Sequence, residues 1–225
     1  MSFVAGVYDV FAYTLPGILY IYVGNEVLKL IGGSYLIYQD FTNSAVTVLI
    51  LFVAFIVGHQ MDFLADRWRT PTKTKTSSTM AIEELKGLYP HLKIDFRPRD
   101  RAIFFTIIRR RHGEIAGTID NNKAISVLFQ NVSLGLFLYA TVLGIKLFTE
   151  GFAAVNLLLL IVVIVLSILA RQRSKLFNLW FNNLIFETAL TYGTSTNEII
   201  RQTQSLGNNG IAQSDSTKKR GRRDE

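Results

Sequence analysis

His59, Asp62 and Asp66 stand at i, i+3 and i+7, a spacing that puts one imidazole and two carboxylates on one face of a helix. Such a set could ligate a divalent cation or relay protons. The plainer use is a helix end entering water, with Arg67 and Arg69 beside it as ion-pair partners. No second cluster of histidine and carboxylate at a metal-like spacing completes a site. Glu26 and Lys29, at i and i+3, would serve as a charge at a pore mouth or a coupling-ion site. The competing reading is a pair that snorkels to the membrane surface. Gln130, Asn131, Ser133 and Asn156 are uncharged polar residues set in apolar runs. They could line a water-filled path, although such residues more often hydrogen-bond between helices. Arg109, Arg110 and Arg111, followed by His112, could bind phosphate on lipid headgroups, a nucleotide or nucleic acid. Their place beside a membrane favours lipid headgroups or a simple topology signal over specific nucleic-acid binding.

Recognised catalytic patterns are missing. The chain has no Walker A loop, no G-x-G-x-x-G, no G-x-S-x-G and no H-E-x-x-H. Cysteine is absent, which excludes disulfides, thiolate metal sites and cysteine nucleophiles. The sequence therefore predicts neither an enzyme nor a bound cofactor.

The elements that must position these residues are set by hydropathy. Of 225 residues, 49% are hydrophobic and only 18% charged, below the roughly 25% usual for soluble domains. The apolar residues gather in long runs, and about 20 are needed to cross a bilayer as a helix. Phe41 to Met61, Ala124 to Ile145 and Phe152 to Ala170 each lack Asp, Glu, Lys and Arg. A fourth run, Val10 to Asn25, is equally clean but is interrupted beyond by Glu26 and Lys29. The first basic residue is Lys29, so a secretory leader is not expected and this run reads as a retained helix. Within it, Pro16-Gly17 either kinks a span or starts one. Ala54/Gly58 and Ala140/Gly144 are small-xxx-small pairs that let helices approach closely.

Charge sets the orientation. Of 24 Lys and Arg, 22 fall in Asp62 to Lys123 and Arg171 to Glu225, which four spans place on one side. The positive-inside rule assigns that side to the cytoplasm, with both termini on it. The net charge of +7 is thus chiefly a topology signal. The expected fold is an all-α membrane protein with four transmembrane helices as two hairpins (1–61 and 124–170). A basic cytoplasmic insert (62–123), an amphipathic juxtamembrane helix (171–192) and a disordered basic tail (193–225) complete it. No internal repeat relates the hairpins.

The insert looks too small and too basic for a core of its own. Thr70 to Ser78 reads as a linker and Thr79 to Gly87 as a short helix. Pro98 to His112 reads as a basic amphipathic helix capped by Gly113, its face of Ile103, Phe104, Ile107 and Ile108 resting on an anionic leaflet. In 171–192, Leu176, Phe177, Trp180, Phe181, Leu184 and Ile185 form an apolar stripe opposite Asn178, Asn182, Asn183 and Glu187. That helix should lie at the membrane surface or pack on the insert.

Phe11-Ala-Tyr-Thr-Leu-Pro-Gly17, followed by a second span ending in Gly58-His59, resembles a type of small multi-span bacterial inner-membrane protein, some of which accompany defence or stress operons. The resemblance covers the first two spans and carries over no functional residue. It implies a bacterial inner membrane and a partner encoded nearby. Taken together, the sequence predicts a self-associating membrane sensor, effector or scaffold with a cytosolic partner protein. An ion channel is the alternative, and a metal-dependent membrane enzyme the third reading.

Overall fold

The computed structural model describes residues 3–33, 44–69, 75–91, 94–149, 151 and 153–192. Most of the connection between the first two apolar runs, part of the linker after Arg69 and the basic tail lie outside the described residues. The described residues form six α-helices and no strand: α1 Phe3–Leu30, α2 Ser44–Arg69, α3 Ser77–Leu88, α4 Arg101–Arg111, α5 Gly113–Thr149 and α6 Ala154–Thr191. Three of them, α2, α5 and α6, are long and apolar enough to cross a membrane.

The apolar helices pack by close approach. Pro16 sits inside α1, which runs on through it as one helix, so no separate segment precedes the proline. Next to it, a Cβ on Gly17 would lie 1.7 Å from the Ala54 carbonyl oxygen, and one on Gly58 would lie 2.0 Å from that of Tyr13. The pairing is antiparallel, and the Ala54/Gly58 pair is consumed within the chain. Tyr20 and Tyr22 of α1 meet Asn131 and Tyr139 of α5, so these two helices run in the same direction. Arg69 reaches Ser126, and Trp68 reaches Ser133, so α2 and α5 run oppositely.

The α5–α6 seam is built from serine. Ser126 Oγ donates to the Ser174 carbonyl at 2.9 Å, and Ser174 Oγ returns the bond to the Ser126 carbonyl at 2.9 Å. Ser133 and Ser167 repeat the exchange at 2.9 and 2.8 Å. Both pairs step by one heptad along antiparallel helices, and the small side chains let the backbones come together. All four serines are buried. Ile119 and Phe181, one heptad further, share the next cluster. Ala140 with Leu160 and Val163 continue the seam the other way.

At 37 and 38 residues, α5 and α6 are each about 55 Å long, well beyond a hydrocarbon core of about 30 Å. Both run unbroken from lipid-facing sequence into a second, globular end. There, α3 and α4 close a core of Ile82, Leu85, Phe104, Ile108, Ile119, Ile185 and Phe186. Two sequence expectations change here. The basic insert does take part in a core, because α6 adds Phe181, Ile185, Phe186 and Ala189 to it. Phe104 and Ile108, expected on a leaflet, are buried in that core.

Local signals explain the small helices. Thr76 caps α3, its Oγ1 accepting from the Thr79 N–H at 3.3 Å. Pro98 opens a 3-10 turn, Pro98–Asp100, in which Asp100 accepts from the Arg97 N–H at 2.9 Å. The helix after it ends at Arg111 with His112 as its cap residue. Gly113, expected to be that cap, instead begins α5. The turn from α5 to α6 needs Gly151, whose φ of 97° is open mainly to glycine.

Candidate functional site: a buried polar junction

Where the apolar part of the bundle meets the globular end, α1, α2, α5 and α6 bring polar side chains together. Asp62 accepts from Gln130 Nε2 at 3.1 Å and from Asn131 Nδ2 at 3.0 Å. Asn131 also accepts from the Tyr20 hydroxyl through its backbone carbonyl at 2.8 Å. One helical turn on, Asp66 accepts from Arg69 Nη2 at 2.6 Å, and Arg69 Nη1 donates to Ser126 Oγ at 3.2 Å. Arg69 is 6% exposed, although it ends a helix. Trp68 donates its indole N–H to Ser133 Oγ at 3.0 Å. The serines of the α5–α6 seam therefore also receive α2. Unpaired charge is costly in this setting, and each carboxylate here meets donors.

His59 does not join Asp62 and Asp66. Its ring is exposed, with Tyr13 edge-on at 4.9 Å and Phe55 parallel at 6.4 Å. Among the described residues, no group of three or more His, Asp or Glu side chains could hold a metal ion. Glu26 lies at the opposite end of the bundle. It is buried and bridges Lys29 of its own helix and Lys146 of α5, tying α1 to α5 there. Gln130 and Asn131 are buried in the junction. Asn156 is half-buried in the first turn of α6, far from both.

Arg109, Arg110 and Arg111 are exposed on α4 at the globular end. Arg109 stands 3.9 Å from Asp120 of α5 and 5.9 Å above the Phe105 ring. The asparagine face of α6 docks α3. Asn178 Nδ2 donates to Ser77 Oγ at 2.7 Å, Ser78 Oγ donates to Asn182 Oδ1 at 2.8 Å, and Asn183 Nδ2 donates to Glu84 at 2.9 Å. Sequence reasoning named Ser133 but missed Ser126, Ser167 and Ser174, although the shared spacing of seven in Ser126/Ser133 and Ser167/Ser174 carries the seam. Arg69 appeared there only as a surface partner.

The fold and this junction define the class: an all-helical membrane protein whose membrane helices continue into a globular end. Comparison with protein-family models, curated proteins and solved structures returns no match for this chain.

Proposed function

We infer that the chain is a four-span protein of a bacterial inner membrane, a homo-oligomeric sensor, effector or scaffold that offers its globular end to a cytosolic partner. The observation that carries this reading is the continuity of α5 and α6, which form the membrane seam and half of the globular core with the same two helices. A state of the membrane helices is thereby tied to a state of the docking face. Three further features support it. The helices α1, α2, α5 and α6 alternate in direction, which suits a reading of α1 as a fourth span with the basic segments on one side. The carboxylates within the bundle all meet donors, as structural groups do: Glu26 meets Lys29 and Lys146, Asp66 meets Arg69, and Asp62 meets the amides of Gln130 and Asn131. On the globular end, Met80 and Leu88 of α3 and its cap residue Tyr89 are exposed, apolar side chains that a protein partner would cover.

The natural lack of cysteine makes orientation simple to test. Single cysteines at Ile31 and Ala153 are expected to react with a membrane-impermeant maleimide in intact spheroplasts, and one at Gly87 only after lysis. Labelling of Gly87→Cys in sealed spheroplasts would overturn the orientation. Photocrosslinkers at Met80 and Leu88 are expected to capture a cytosolic protein, and native mass spectrometry in mild detergent to give more than one copy. A strictly monomeric protein with no crosslinked partner would end the sensor or scaffold reading.

A further inference from the structure

The outer surface of the seam holds a groove of about 640 Å³ between α5 and α6, with Trp68 of α2 in its wall. Its walls change character along its length. Phe137, Ala140, Gly144, Leu160, Ile164 and Ile168 make an apolar channel, and Arg171, Gln172 and Lys175 gather at one mouth. From Leu160 to Arg171 the helix rises about 16 Å, which is close to one leaflet of a hydrocarbon core of about 30 Å. The channel is thus as long as one acyl chain is deep, and the cations sit where that chain's headgroup would be. The volume falls within the roughly 300–1,000 Å³ of ordinary ligand sites.

A second observation concerns Arg171 itself. Its guanidinium carbon lies 4.7 Å over the Trp68 ring, a cation–π contact that fixes it at the mouth. Its Nε is buried with no hydrogen-bond partner among the described residues. A buried guanidinium N–H without an acceptor is costly, and an anionic oxygen would satisfy it. Gly144 borders open space in the channel, since a Cβ there would meet nothing within 4 Å.

We propose that this groove is a binding site for an anionic phospholipid. One acyl chain lies along Phe137, Gly144 and Ile164, and the phosphate is held by Arg171 and Lys175 with Gln172 beside them. Basic recesses between membrane helices recognise acidic headgroups through this arrangement. The site is separate from Arg109, Arg110 and Arg111, which lie on α4 at the globular end.

The test is native mass spectrometry of the full chain released from nanodiscs of equal parts phosphatidylglycerol and phosphatidylethanolamine. The parent protein is expected to retain phosphatidylglycerol in preference. Arg171→Gln with Lys175→Gln is expected to weaken that retention by about thirtyfold, from two juxtamembrane cations. Lys86→Gln, at an exposed basic residue of α3 outside the groove, is expected to leave retention unchanged. Gly144→Leu fills the channel without touching the charges and is expected to abolish retention of either lipid. Equal retention of both lipids by the parent would overturn the proposal, as would undiminished phosphatidylglycerol on the double variant. A Gly144→Leu protein that loses a protomer but keeps its lipid would assign the groove to a second copy of the chain and overturn it as well.

Discussion

Replacing Gly17 or Gly58 by alanine sets two physical effects of opposite sign against each other. In a helix interior, alanine is favoured over glycine by about 1 kcal/mol, so propensity alone predicts a more stable protein. The packing of α1 on α2 predicts the reverse. The added Cβ would stand 1.7 Å from the Ala54 oxygen in one case and 2.0 Å from the Tyr13 oxygen in the other, where contacts under 3.0 Å do not occur. The helices must therefore part by at least 1.3 and 1.0 Å, and the obstacle is backbone, which cannot rotate away. A gap of up to 1 Å forfeits a quarter to a half of each dispersion contact along the seam. Overpacking of this kind costs about 1–3 kcal/mol. Two internal standards complete the series. At Gly135 the nearest atom is the tip of the Leu19 side chain, at 2.6 Å, which can turn aside, so Gly135→Ala should cost less than about 1 kcal/mol. At Gly117 nothing lies within 4 Å, and Gly117→Ala should be neutral or stabilising by up to about 1 kcal/mol. Denaturation in mixed micelles, followed by circular dichroism, measures all four. If Gly17→Ala and Gly58→Ala prove as stable as the parent, the backbone contact between α1 and α2 is refuted.

Three further variants probe the other contacts. Glu26→Gln strands the mostly buried Lys146 and should cost about 3–5 kcal/mol, whereas Lys29→Met, at a 41% exposed side chain, should cost under about 1 kcal/mol; equal losses in the same denaturation assay would contradict the buried bridge. Ser167→Ala removes one returned hydrogen bond and should cost about 0.6 kcal/mol, but Ser133→Ala also strands the Trp68 indole and should cost more, with a visible change in tryptophan emission. Phe186→Ala empties a fully buried site in the globular core and should cost about 3–5 kcal/mol, read as faster hydrogen exchange in α3 and α4 with α2 unaffected.

Much of the helical plan is legible in the sequence because hydrocarbon imposes one simple demand, a long run without charge. The runs in α2, α5 and α6 meet it openly. Pairings between distant segments leave no such trace. Nothing local to Glu26 names Lys146, 120 positions away, as its partner. The face of Asn178, Asn182 and Asn183 looks like a solvated surface because an amide is satisfied equally well by water and by the polar atoms of α3. The opposite ambiguity affects α4. An apolar stripe flanked by arginine suits a leaflet or another helix alike, and only the position of Phe186 decides it. Gly113 shows a third kind of limit: a glycine after an arginine-rich helix end satisfies the rule for a cap, yet here it opens the next helix.

The unbroken length of α6 gives the molecule the geometry of a lever. The helix contains neither glycine nor proline at which it could bend. Beyond Arg171, about 30 Å of it projects out of the apolar part. A change in tilt of about 10°, within the range by which helices adapt to bilayer thickness, would swing the far end by about 5 Å. Distances from a spin label at Tyr192 to the lipid surface, compared in thin and thick bilayers, would register that swing. Bilayer thickness would then be read out as the position of α3 and α4, several nanometres from the lipid that changed.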